Sequence, residues 1–288
     1  KRLNDVVLFA ACLKPRAQNS HKGSFGDVIV LGGASGMVGA AVLAARTAAK
    51  SGAGRVFIAS PDNALAYDNA QPEIMCRPAH EMDFTRATIV VGPGLGTSRE
   101  AHDLLSKAIG THAPLVIDAD ALNIIAAESA LQDKLGLRRG MTLITPHPLE
   151  AARLLDVGTQ DIQTDRLAAA HALAVRFNAI AILKGSGTVI ATPAGQLTIT
   201  ATGNPALATA GAGDVLSGLC GALLAQGWPA EEAALGAVWL HGKAADDLVA
   251  SGTGPIGVTA GELIPYIRAA LNRLVTQHAI RQGGQPKS

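Results

Sequence analysis

The apolar residues of this chain fall in short unbroken runs separated by longer helix-forming stretches. Val28-Ile29-Val30-Leu31 runs into Gly32-Gly33, and Val56-Phe57-Ile58-Ala59 and Thr88-Ile89-Val90-Val91 follow. Leu115-Val116-Ile117, Leu143-Ile144 and Ala181-Ile182-Leu183 continue the series. Continuous apolar runs without alternation predict strands buried on both faces, as in a mostly parallel sheet covered by helices. Ala40 to Lys50 predicts one such helix, closing at Gly52, and Ala121 to Ala127 predicts another. Residues 188–192 and 196–200, joined around Pro193-Ala194-Gly195, predict an appended antiparallel hairpin. From Val215 onward the pattern is helical, broken near Gly227 and Gly252. The whole predicts an α/β protein in a single domain over residues 1–288, with residues 1–20 as an N-terminal extension and 281–288 as a frayed tail.

The strand ends are polar or glycine-rich. Gly92-Pro93-Gly94-Leu95-Gly96, Asp118-Ala119-Asp120, Thr145-Pro146-His147-Pro148 and Lys184-Gly185-Ser186-Gly187 each follow a predicted strand. In open α/β sheets the ligand lies outside the carboxyl ends of the strands, so this chemistry converges on one rim. Composition narrows the ligand. Charged residues are only 16% and net charge is +1, which leaves no electrostatic footprint for nucleic acid or an anionic membrane. Cys12, Cys76 and Cys220 are sparse and without metal-ligand spacing, as expected of a reducing, cytoplasmic compartment. No secretory signal or run of about 18 apolar residues is present in the sequence.

The densest chemistry lies in Asn204 to Gly218. Gly211 and Gly213 flank Ala212, Asp214 follows, and an apolar helical run begins at Val215. Backbone N–H groups and the positive end of a helix would meet there and stabilise a phosphate. Asp214 beside that phosphate reads either as the acceptor of a hydroxyl proton in phosphoryl transfer or as a helix cap. Gly32 to Gly39 follows a strand but lacks the G-x-G-x-x-G spacing and the later acidic residue of a dinucleotide fold, so hydride transfer is disfavoured. Asp120 is expected to cap the helix from Ala121, leaving Asp118 toward the rim. His147, stiffened by Pro146 and Pro148, reads as a ligand contact or a packing histidine rather than a titrating base. Lys184 and its glycines suit phosphate oxygens without forming a Walker loop; the alternative is a solvated strand-end charge. No metal cage is apparent in the sequence, so Mg²⁺ is expected to arrive with nucleotide phosphates.

Taken in order, these motifs resemble the NAD(P)H-hydrate dehydratases. The resemblance runs from His21-Lys22-Gly23 through the glycine loops, Asp118 to Asn123, Thr145 to Glu150 and Lys184 to Thr188, ending in Gly203 to Asp214. One departure is Ala206-Leu207, where the family more often has Gly-Met. The resemblance implies a ribokinase-like three-layer α/β/α sandwich. It also implies repair of hydrated NAD(P)H, the S epimer, at the expense of ADP, by phosphorylation of the ring hydroxyl and elimination of phosphate. Asp214 would be the catalytic base. Ala40, Gly94, Gly96, His147 and Asp214 would bind the hydrated dinucleotide; Lys184, Gly185, Ser186, Gly187, Thr188 and Gly213 would bind ADP or AMP. Gly211, Ala212 and Gly213 would form the anion hole. The resemblance further implies a homotetramer and an epimerase as functional partner; some members carry the epimerase as a fused N-terminal domain, for which the short stretch before His21 leaves no room. Competing readings are a vitamin-precursor kinase of the same fold and a nucleotide-binding regulator without turnover.

Overall fold

A computed structural model describes residues 1–62, 65–281 and 283. The expected frayed tail therefore lies outside the described residues, apart from Arg281 and Gly283. The strands are β1 (Arg2–Leu3), β2 (Asp27–Leu31), β3 (Arg55–Ser60), β4 (Met75–Pro78), β5 (Thr88–Val91), β6 (Leu115–Ile117), β7 (Thr142–Ile144), β8 (Ile180–Leu183), β9 (Val189–Ala191) and β10 (Leu197–Ile199). They form one sheet in the order β1-β10-β9-β8-β7-β6-β5-β2-β3-β4. From β4 to β8 every pairing is parallel, whereas β8, β9 and β10 pair antiparallel as the expected hairpin. Two edge strands escaped the sequence reading. β1 has two residues, and β4 carries Arg77 and Pro78, so neither shows an apolar run.

Helices cover both faces. One layer holds α1 (Val38–Lys50), α8 (Ala212–Ala225), α9 (Ala230–Ala250) and α10 (Ala260–Arg281); the other holds α2 (Arg99–Ile109), α3 (Ala119–Ala127), α4 (Ser129–Gly136), α5 (Pro148–Leu155), α6 (Thr159–Thr164) and α7 (Arg166–Phe177). Sheet side chains alternate between the two cores: Val28, Val30 and Val90 face α8, and Ile29, Leu31, Ile89 and Val91 face the opposite layer. The abundance of alanine and glycine has a structural use here. A Cβ on Gly218 would lie 2.2 Å from the Ala44 carbonyl oxygen, and one on Gly221 would lie 2.4 Å from Val90 Cγ2. α8 is thus wedged between α1 and the sheet at backbone distance, and its N-terminus is fixed at the rim. The N-terminal residues join this body. Phe9 and Leu13 are buried, Phe9 packs between Trp228 and Trp239 at 6.1 Å from each, and Asn4 Nδ2 donates to Thr200 Oγ1 and the Leu235 carbonyl.

Strand order reverses between β2 and β5, which is where an α/β sheet opens a crevice. The two glycine loops leave from these strands. Gly33 N donates to Pro93 O at 3.0 Å and Ala34 N to Gly94 O at 2.7 Å, so the loops form one backbone-lined floor. A Cβ on Gly32 would stand 2.1 Å from Pro93 O, which explains the glycine.

Candidate active site

The N-terminus of α8 carries the first group. Gly211, at φ +88, ends the preceding loop in a left-handed conformation and occupies the capping position without a side chain. No side chain caps the helix, so its first-turn N–H groups and dipole are presented to the rim. Asp214 is the third residue of the helix, not its cap. Its carboxyl is pushed up to about 7, first by burial, then by the carboxylates of Asp118 and Asp120, against the pull of Lys184.

Lys184 supplies the second group. Its Nζ lies 2.8 Å from Asp118 Oδ1 and 3.9 Å from Glu150 Oε2. A Cβ on Gly213 would be 3.3 Å from that Nζ and 3.7 Å from Asp118 Oδ2, so the pair lies directly beneath the α8 terminus. The reading of Lys184 as a solvated strand-end charge is therefore excluded: the ammonium is an internal counter-ion. Burial pushes its pKa down, but Asp118 and Glu150 outweigh that and the net shift is upward. Glu150, almost fully buried, is pushed up to about 7, chiefly by desolvation.

Of the two aspartates after β6, Asp118 stands at the rim as expected, but the capping role expected of Asp120 also falls to it. Asp118, 1% exposed, holds the capping position of α3 and accepts from Ala119 N at 2.9 Å while pairing with Lys184. The helix begins at Ala119 rather than Ala121, and Asp120 Oδ2 instead accepts from Gly96 N at 2.9 Å, tying the second glycine loop to this corner. A sequence cannot distinguish two aspartates one residue apart when Ala119 takes φ +48 between them.

His147 is the cap of α5. Its Nδ1 accepts from Leu149 N at 3.1 Å and Glu150 N at 3.4 Å, while Glu150 Oε2 accepts from His147 N at 2.8 Å. The packing alternative is excluded in part, because the ring is half-exposed. Burial, then Lys184, lowers its pKa. The cap uses the Nδ1 lone pair, so the proton of the neutral ring sits on Nε2. Contacts therefore run from Asp118 through Lys184 and Glu150 to His147, and Asp120, two residues along the chain from Asp118, ties Gly96 to the same corner. Ala40 joins it at one remove: its N–H bonds to Met37 O, and the Met37 methyl lies 3.5 Å from a Cβ position on Gly96.

Beside this corner opens a cavity of about 580 Å³. Lys184 to Thr188 line one side, Thr200 to Pro205 another, and Ala212, Gly213, Leu216 and Val238 the floor. The predicted nucleotide contacts are thus together, adjoining the predicted anion hole. Two partners were not foreseen. Arg166 straps the loop, donating to the carbonyls of Leu183 and Lys184 at 3.2 Å each and to Ser186 O. His241 reaches the cavity from α9. Its immediate neighbours in sequence are Leu240 and Gly242, and its burial marks it.

An α/β sandwich with an open helix N-terminus, an adjoining cavity and a carboxylate between them defines a ribokinase-like architecture. A solved ribokinase-like superfamily protein from Enterococcus faecalis superposes with a TM-score of 0.82 at 26% identity, covering 95% of this chain and 96% of that one. The model of the family described as NAD(P)H-hydrate dehydratase matches residues 28–268, and the chain belongs to that family. It is 42% identical over 281 residues to the ADP-dependent (S)-NAD(P)H-hydrate dehydratase of Neisseria meningitidis, covering 94% of each chain. It is 38% identical to the bifunctional NAD(P)H-hydrate repair enzyme of Escherichia coli, across 92% of this chain and 51% of that protein. The chain thus spans about half the length of its bifunctional relatives. Among solved structures, the ADP/ATP-dependent NAD(P)H-hydrate dehydratase of Bacillus subtilis, co-crystallised with ATP and Mg²⁺, superposes with a TM-score of 0.84 at 28% identity, covering 95% of this chain and 98% of that one. A hydroxyethylthiazole kinase from Pyrococcus horikoshii, at 15% identity and a TM-score of 0.62, shares the fold alone. No helix among the described residues is long and apolar enough to cross a membrane.

Proposed function

We propose that this chain dehydrates the S epimer of hydrated NAD(P)H, using ADP as phosphoryl donor. The observation that carries the reading is Asp214. A carboxylate beside an open helix N-terminus repels phosphate unless it has a chemical task, and one poised near 7 can exchange a proton at neutral pH. ADP would lie in the 580 Å³ cavity with its phosphates toward Gly213. The hydrated dinucleotide would lie across the glycine floor, with Ala40, Gly94, Gly96 and His147 as contacts and the ring hydroxyl toward Asp214.

The chemistry then proceeds in two stages. Asp214 takes the proton of the ring hydroxyl as its oxygen attacks the terminal phosphorus of ADP, and the bond to AMP breaks. The new phosphate ester is a far better leaving group than hydroxide. The ring nitrogen lone pair expels it as inorganic phosphate, and loss of a proton from the neighbouring carbon restores the dihydronicotinamide. Lys184, locked between Asp118 and Glu150, holds positive charge under the transferring group without a rotamer search. Mg²⁺ would neutralise phosphate charge when bound. The hard oxygen donors suit it: Asp118 Oδ2, on the Gly213 side, and the Asp214 carboxylate, next in sequence to the cavity-lining Gly213, would hold it, while nucleotide oxygens would complete the shell. A separate or fused epimerase would supply the S epimer.

The experiment is an absorbance assay of hydrated NADH with ADP, ATP or neither. Recovery of dihydronicotinamide, with AMP and phosphate formed one for one, is expected with ADP. Phosphorylated product accumulating without that recovery would instead indicate a small-molecule kinase.

A further inference from the structure

Arg166, partly buried, is the first residue of α7, and its position is unfavourable in three respects. The helix dipole disfavours a cation at that end. Burial lowers its pKa, and no carboxylate among the described residues pairs with it. Its Nε is buried without a partner. Fold stability alone does not explain an arginine there. Its fork instead engages one loop. Nη2 donates to the carbonyls of Leu183 and Lys184 at 3.2 Å each, and Nη1 to that of Ser186. Thr188 Oγ1 donates to the one that remains, Gly185 O, at 3.1 Å. Every carbonyl from Leu183 to Ser186 is therefore engaged. The N–H groups of Gly185, Ser186 and Gly187, by contrast, meet no acceptor among the described residues.

Gly185, at φ +144, belongs to the same arrangement, because a Cβ there would stand 2.7 Å from Arg166 Nη2. A loop with its carbonyls engaged and three amides spare suits an anion. Gly185, Ser186 and Gly187 line the cavity, and Arg166 is not among its lining residues. We infer that Arg166 is a positioning residue for nucleotide binding, holding the amides of Gly185 to Gly187 as donors to phosphate. The phosphates would also supply the counter-charge that the guanidinium lacks within the protein. This inference rests on the cavity holding adenine nucleotide, as proposed above. Lys184 is fixed independently: its N–H donates to Pro146 O at 2.9 Å, and Asp118 and Glu150 hold its ammonium. The effect of Arg166 therefore falls on binding rather than on turnover.

Calorimetric titration of the intact protein with ADP, and with adenosine, which has no phosphate, tests it. Arg166→Met keeps the stem and removes the fork. It should bind ADP about tenfold more weakly, the scale of one charge-assisted hydrogen bond, and bind adenosine as the wild type does. Arg166→Lys restores the charge without the fork and should recover part of the loss. Arg176→Met, near the far end of the same helix, is the control and should bind both ligands normally. In steady state, Arg166→Met should raise KM for ADP and leave kcat nearly unchanged. Unchanged ADP binding by Arg166→Met overturns the inference, as does weakening of ADP and adenosine by one common factor. Hydrogen exchange of the wild type tests it even if Arg166→Met does not fold. ADP should slow exchange at the amides of Gly185 to Gly187 and adenosine should not; equal rates with and without ADP overturn the inference. Absence of any ADP binding by the wild type would sink the cavity reading itself, and this inference with it.

Discussion

Two clusters of buried charge in this molecule follow opposite rules. Asp68 is met by a single arginine: Arg46 donates to its two oxygens at 2.6 and 2.5 Å, and Ala70 N adds a bond at 3.0 Å. The fork geometry balances one charge with one charge, and Arg46 holds the Asp68 carboxyl below the usual carboxylate range. At the rim, one ammonium is shared. Lys184 faces Asp118 and Glu150 in contact and Asp214 at longer range, and both Glu150 and Asp214 are pushed up to about 7. A matched pair gives stability and has no spare proton affinity. A cluster short of cations keeps carboxyls near neutrality, where they can accept and release protons, and it does so at the expense of stability.

The strongest attack on that contrast is Asp214→Asn. Turnover should fall by about 10²- to 10⁴-fold, the usual loss for a general base, while ADP binding persists. The same variant should be more stable than the wild type at alkaline pH. A carboxyl raised from 3.8 to about 7 in the folded state contributes stability that is present below about 4 and lost as pH rises through 7. Asparagine never ionises, so the gain in melting temperature should be clear at pH 8 and vanish toward pH 4. Because Asp214 is partly exposed, the gain is on the order of 1–2 kcal/mol. A slow but less stable variant at pH 8 would show that Asp214 is structural, like Asp68.

Asp68→Asn is the converse. It should cost about 1–3 kcal/mol of stability, from a broken buried pair, and leave kcat unchanged. Smaller again is the effect of Lys184→Met on the pH profile. Without the shared cation, the acid limb of kcat/KM, set near 7 by Asp214, should move to higher pH by about one unit. A limb that stays in place would mean that another group sets it.

How much of this was legible beforehand divides along the same line. The central strands were, because a strand buried on both faces must be continuously apolar, and β5 and β6 fall on the residues expected. β1 and β4 were not, since edge pairing needs no such run. The open N-terminus of α8 was legible from Gly211-Ala212-Gly213-Asp214, where composition alone dictates the local geometry. The shared ammonium was not: Asp118, Glu150 and Lys184 follow three different strands, β6, β7 and β8, and only the sheet order makes them neighbours. His241 was hidden for a simpler reason. Leu240 and Gly242 flank it, and a core histidine and a cavity histidine have the same sequence context.

The smallest expected effect separates contact from catalysis at the edge of the charged cluster. His147 touches Glu150, yet its own Nδ1 lone pair is committed to capping α5. Acting as a base would require that lone pair and would break the cap. The Nε2 proton is free to be donated to a ligand on the half-exposed side, with Glu150 Oε1 at 3.4 Å as its nearest carboxylate. His147→Gln keeps an acceptor for the cap and a donor for the ligand. It should therefore raise KM for the hydrated dinucleotide severalfold, within the roughly 1 kcal/mol of one neutral hydrogen bond, and leave kcat nearly unchanged. The profile of kcat against pH should retain both limbs. Loss of one limb in this variant would place His147 inside the titrating cluster with Asp214 and Glu150, and the boundary between the two kinds of residue would have to move.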